Sequence, residues 1–167
     1  MSRNKKPRKA YKPRQIMVNT LEIVLHKAAK PAPQDRAEVL AKLQEAIAAL
    51  CAGVATEMDW SVAAGAVSVA MAIERQGVVR GLQAHLTNTE ELLQAIYDRC
   101  RLPQMWLRPT LSFEEVEALK LFYELHAFQV EQLGCGELLA AIDKAAKQTI
   151  AQGQQVTLVR DIERMAA

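Results

Sequence analysis

Between Val62 and Ile73 the chain runs for twelve residues without a charge and almost without bulk: V-A-A-G-A-V-S-V-A-M-A-I. A segment this apolar on every side has no face to offer water, so it belongs at the centre of a fold, and its small side chains let neighbouring backbones come close. It is too short to cross a bilayer, which takes roughly 20 apolar residues, and Asp59 and Glu74 bound it closely. Thr56-Glu57-Met58-Asp59 has the spacing of a capping box, with Asp in place of the more usual Glu. The pattern therefore predicts a central helix that starts after Thr56 and ends at Gly77.

The flanking segments carry apolar residues at helical spacing. Val18, Leu21, Val24, Leu25 and Ala28 predict a helix over 17–29, stopped by Pro31 and Pro33. Val39, Leu40, Leu43, Ile47, Leu50 and Cys51 predict a second over 35–52, capped by Asp35 and ended by Gly53. A helix over 78–101 follows, with an interruption expected near Thr87-Asn88-Thr89, where Thr89 would cap a second piece. Leu102-Pro103 stops it, and 102–111 reads as a loop. Ser112-Phe113-Glu114-Glu115 is a cleaner capping box. It opens a helix to Leu133 whose inner seam is Val116, Leu119, Tyr123, His126, Val130 and Leu133. A last helix spans 137–152, and periodicity does not decide the form of the tail. Seven glycines, six prolines and 5% aromatics argue against a turn-rich β fold. Short connections make successive helices antiparallel neighbours. The fold class expected is all-α: one bundle of five to six helices over 16–155, a flexible basic arm over 1–15 and a tail over 156–167.

The net charge of +2 conceals a division. Arg3, Lys5, Lys6, Arg8, Lys9, Lys12 and Arg14 put seven cations in the first fifteen residues, with no acid among them. The remaining 152 residues hold 14 basic and 19 acidic side chains, a net of −5. An arm with Pro7, Pro13 and almost nothing apolar cannot offset the entropy of ordering, so it is expected to be disordered when free. Its cations can neutralise phosphates and release counterions, and Tyr11 can stack on a base. The same charge could engage an acidic protein surface or serve solubility alone. A membrane-surface role is disfavoured, since neither a lipidation site nor an apolar anchor accompanies the charge. The absence of an apolar stretch after the charged start argues against a secretory signal.

The rest of the chain is poor in chemistry-bearing patterns. Glu114, Glu115, Glu117, Glu124 and Glu131 against Lys120 make the 112–133 helix repel phosphate. Arg99, Arg101 and Arg108 form a smaller basic patch beside the 102–111 loop. In that loop Met105, Trp106 and Arg108 are of the types enriched at interface centres. Trp106 could instead fold back over the end of the bundle. His26, His85 and His126 lie on three separate helices without Glu-x-x-His spacing, and His126 falls on the apolar seam, the place of a hydrogen-bonded core residue. Cys51, Cys100 and Cys135 are odd in number and form no C-x-x-C pair, which suits reduced thiols in a cytoplasmic protein. No phosphate-binding loop, nucleophile elbow or zinc-helix motif occurs. Neither a catalytic residue, a metal ligand set nor a cofactor is expected.

The opening S-R-N-K-K-P-R-K-A-Y-K-P-R, the M-D-W at 58–60 and the I-E-R-Q-G at 73–77 resemble small uncharacterised helical proteins carried by proteobacterial prophages and integrative elements. That resemblance brings no activity with it. It implies an accessory role in the cytoplasm of a bacterial host: handling the element's DNA or RNA, or blocking a host nucleic-acid or defence machine. The partners expected are nucleic acid or an acidic host protein surface, with the helical part supplying shape or a homo-oligomer surface.

Overall fold

The computed structural model of the chain describes residues 27–103 and 105–153. Among them are five helices and one short β ladder: α1 (Pro33–Cys51), α2 (Glu57–Gln76), α3 (Gln83–Cys100), β1 (Arg101–Leu102), β2 (Met105–Trp106), α4 (Phe113–Gln132) and α5 (Cys135–Ala151). The chain is mostly helical, as the apolar periodicity predicts. The helix expected over 17–29 enters the description only at residues 27–28, which are helical. The residues of the arm and of the 156–167 tail lie outside the described residues.

Helix α2 contains the small-residue run and packs against all four other helices. Ala63, Val67, Ala70, Met71, Ala72 and Ile73 are its buried residues. Two apolar clusters meet along it. One joins Leu43, Ile47 and Leu50 of α1 to Leu86, Leu93 and Ile96 of α3 and Leu119 and Phe122 of α4. The other joins Ala72 and Ile73 to Val130 and Leu133 and to Leu138, Ala141 and Ala145 of α5. Gly65 stands out on this helix: it is exposed, and a Cβ there would meet nothing within 4 Å. Glycine in a helix interior costs about 0.5–1 kcal/mol relative to alanine. Gly65→Ala is therefore expected to raise stability by about that amount in urea titration. Destabilisation instead would reveal a close neighbour on that face.

Both capping boxes form as the sequence predicts. The Thr56 N–H donates to Asp59 Oδ2 at 2.7 Å, and the Asp59 N–H donates to Thr56 Oγ1 at 3.3 Å. The Ser112 N–H donates to Glu115 Oε2 at 2.8 Å, and the Glu115 N–H donates to Ser112 Oγ at 3.3 Å. Other boundaries are corrected. Helix α1 starts at Pro33 with Ala32 as its cap, so Asp35 falls inside the helix. Proline at the first helical position gives up an N–H that has no helical partner anyway.

Helix α3 begins at Gln83 rather than 78 and is continuous. Gly77 and Gly81 both take positive φ, 82° and 95°, which no α-helix accommodates. Glu74 holds this turn: its Oε1 accepts from the backbone N–H groups of Gly81 and Leu82 at 2.7 and 3.1 Å. Thr89 does not cap a second piece. It is buried, and its hydroxyl donates to the His85 carbonyl one turn back at 2.9 Å, which satisfies it inside an unbroken helix.

Candidate functional site

The described chain begins at a tight corner. The backbone N–H of Cys135 donates to the Ala29 carbonyl at 2.9 Å. A Cβ on Gly134 would stand 2.9 Å from the Lys27 carbonyl oxygen, and one on Gly136 2.9 Å from Lys27 Cβ. Only glycine at these two positions lets Lys27 and Ala28 sit so close to the junction of α4 and α5. The predicted contact residues Arg3, Lys5, Lys6, Arg8, Lys9, Tyr11, Lys12 and Arg14 all precede that point and lie outside the described residues.

The loop after α3 is more ordered than its prolines suggest. Arg101 pairs with Trp106 and Leu102 with Met105 in an antiparallel ladder, extended by the Leu107 N–H donating to the Cys100 carbonyl at 2.8 Å. Of the two readings of Trp106, the structure has it folded back. Its indole N–H donates to the Ala55 carbonyl at 2.9 Å. Its ring lies 6.0 Å from that of Tyr97, which in turn lies 4.6 Å from Trp60. The Trp60 indole donates to the Leu93 carbonyl at 2.7 Å. Buried indoles keep a polar handle that needs a partner, and both have one here. Sequence reasoning missed this aromatic trio, because its members come from three elements and share no spacing signal. Met105 remains 56% exposed, beside exposed Val54, Met58, Leu102 and Leu107 at the same end. Arg108 is exposed.

The basic patch expected at Arg99, Arg101 and Arg108 is mostly internally paired. Arg99 bonds Glu115 at 2.7 Å and Arg101 bonds Glu57. The Arg99 guanidinium holds the Glu115 carboxyl below the usual range, with the Ser112 backbone N–H adding to the effect. The outer face of α4 is acidic. Glu117, Glu124 and Glu131 recur every seven residues and are exposed, as are Glu114, Leu121 and Phe128 on the adjoining line. Lys120 is paired with Glu117 at 2.9 Å.

His126 sits in the core. Its Nδ1 lies 3.3 Å from Gln129 Oε1, and Gln129 Nε2 donates to the Ala70 carbonyl at 3.2 Å. Since Ala70 offers only an acceptor, the glutamine amide turns its oxygen to His126, and Nδ1 is the nitrogen that carries the proton. Burial pushes the imidazole below its ordinary pKa. It also pushes the Cys51 and Cys100 thiols up, away from the thiolate form that reacts. Among the described residues, no three histidine, cysteine or acidic side chains come together as a metal site, and no helix is long and apolar enough to cross a membrane. Comparison with known protein families, with curated proteins and with solved structures gives no match.

Proposed function

We propose that the chain is a non-enzymatic accessory protein of a phage or mobile element that binds nucleic acid without sequence specificity through residues 1–15. One observation carries this reading: seven cations without an acid precede a body of net charge −5. The body supports it by default. Arg99 and Arg101 are already paired with Glu115 and Glu57, and α4 turns acid outward, so phosphate contacts fall to the arm. Backbone neutralisation of this kind positions a protein without reading bases.

A filter-binding titration tests it. Six or seven phosphate contacts imply a loss of about 10³-fold in affinity for duplex DNA between about 50 and 200 mM salt. Deleting residues 1–15 is expected to weaken binding at low salt by at least about 100-fold. Salt-independent binding, or full binding by the truncated chain, overturns the proposal.

A second reading draws on the exposed apolar end at Val54, Met58, Leu102, Met105 and Leu107. There the chain is a stoichiometric interaction module that modulates a host nucleic-acid-processing or defence complex, with the arm occupying an acidic protein surface. A complex that survives nuclease treatment and is lost in Met105→Asp selects this second reading.

A further inference from the structure

We propose that two copies of this chain associate about a two-fold axis through one end of the helical body, where α1 and α3 stop and α2 and α4 start. The inference goes beyond the reading of the charged arm and does not depend on it. It gives that end a definite occupant, a second copy of the chain rather than a host protein.

Exposed bulk gathers at this end. Val54, Met58, Leu102, Met105, Leu107 and Phe113 are between 39% and 79% exposed. They come from the α1–α2 connection, the first turn of α2, the β ladder, the residue after it and the first residue of α4. Side chains alternate across a strand, so the inward turn of Trp106 onto Tyr97 and Ala55 leaves Met105 and Leu107 pointing outward. Leu102 stands across the ladder from Met105, on the same face. The six residues expose on the order of 500 Å², the upper range for the largest apolar patch on a monomer.

Three contacts fasten the α1–α2 connection to the ladder. A Cβ on Gly53 would stand 3.0 Å from the Pro109 carbonyl oxygen, the Ala55 carbonyl accepts from Trp106, and Glu57 bonds Arg101. A surface already held in shape loses less entropy on association.

Charge selects the occupant. A two-fold contact sets each patch against itself, so a surplus of either sign repels across the axis. Here the signs balance. Glu57 is paired with Arg101, Glu115 with Arg99, and Asp59 is held in the cap of α2. Arg108 and Glu114 are exposed, and among the described residues neither has an ionic partner. Across the axis each copy's Arg108 meets the other copy's Glu114, which makes two equal ion pairs. Leu121 and Phe128 on α4 offer no such match, because Glu117, Glu124 and Glu131 would face their own kind. A strongly charged foreign surface likewise gains nothing from a balanced patch. With this polar rim the end approaches the about 800 Å² per partner of a standard interface.

Sedimentation velocity of the purified full-length protein, treated with nuclease, tests the proposal. From about 1 to 200 µM the chain is expected to pass from monomer to dimer, with no larger species, since a two-fold contact closes on itself. Met105→Asp should weaken the dimer at least about 30-fold, the loss expected at an interface centre. Leu121→Asp, equally polar but on the outer face of α4, should leave it unchanged. Arg108→Glu and Glu114→Arg should each weaken it about 5-fold, because each replaces two attractions with two repulsions. The two combined should restore parental association. A monomer at about 200 µM overturns the proposal. So does a dimer indifferent to Met105→Asp, a series of larger oligomers, or a double swap no better than its single members. The sample contains neither nucleic acid nor host protein, so the outcome is separate from both functional readings.

Discussion

Phe122→Ala is expected to cost about 3–5 kcal/mol, the range for removing a buried aromatic ring. Phe122 is the bulkiest of the fully buried side chains, at 1% exposure. It sits in the cluster that joins α1, α2, α3 and α4, and its ring stacks on His126 at 5.8 Å and 12°. The loss would leave a cavity in a cluster whose α2 members are Ala63, Val67, Ala70 and Met71. Set against a total stability of about 5–15 kcal/mol for a domain, the change consumes a large share of what holds the fold. Thermal unfolding followed by circular dichroism should shift down by about 6–20 °C for a chain of this length. Phe113→Ala on the same helix is the comparison: Phe113 is 79% exposed, and its loss should stay within about 0.5 kcal/mol. A Phe122→Ala effect as small as that of Phe113→Ala would mean that α4 does not pack through this face.

That contrast also marks how far the sequence could be read. The seam Val116, Leu119, Tyr123, His126, Val130 and Leu133 is legible because its period matches a helix with one buried line; four of the six are buried, and Val116 and Tyr123 are half-buried. Phe122 and Gln129 are buried as well, one position away from the seam. Helix α4 touches α1, α2 and α3, so it buries a band wider than the apolar count predicts, and a glutamine enters that band because Ala70 offers it a carbonyl. The central place of α2 was legible from composition alone, since the run from Val62 to Ile73 carries no charge and little bulk. The start of α3 was not. It depends on Glu74 reaching across to Gly81 and Leu82, a contact that no local spacing announces. The candidate site divides in the same way. The charge of the arm is plain in the sequence, whereas the pairing of Arg99 and Arg101 depends on acids 16 and 44 residues away. The fate of Trp106 depended on Ala55, a residue without any chemical mark.

The buried histidine makes stability fall with acid well above the carboxylate range. The folded protein holds His126 neutral, below its ordinary pKa of 6.5, because burial penalises the cation. The unfolded chain titrates near that ordinary value. Between it and the depressed folded value, the unfolded state binds more protons than the native one, so stability is complete above about pH 7.5 and is lost as the pH falls through 6.5. The limiting slope for one such group is about 1.4 kcal/mol per pH unit. Glu115 acts in a lower window. Its carboxyl is held below the ordinary 4.5 by Arg99, so its contribution is present above that value and disappears only as the pH falls beneath it. Urea titrations at pH 7.5, 6.0 and 5.0 therefore isolate the histidine. His126→Asn keeps a side-chain N–H donor for Gln129 Oε1 and removes the titrating ring. It should be less stable than the parent at pH 7.5, since ring volume is lost beside Phe122, yet much flatter between pH 7.5 and 5.0. A variant that keeps the parental slope would place the acid sensitivity on another group and would contradict the neutral Nδ1–H form that Gln129 and Ala70 require.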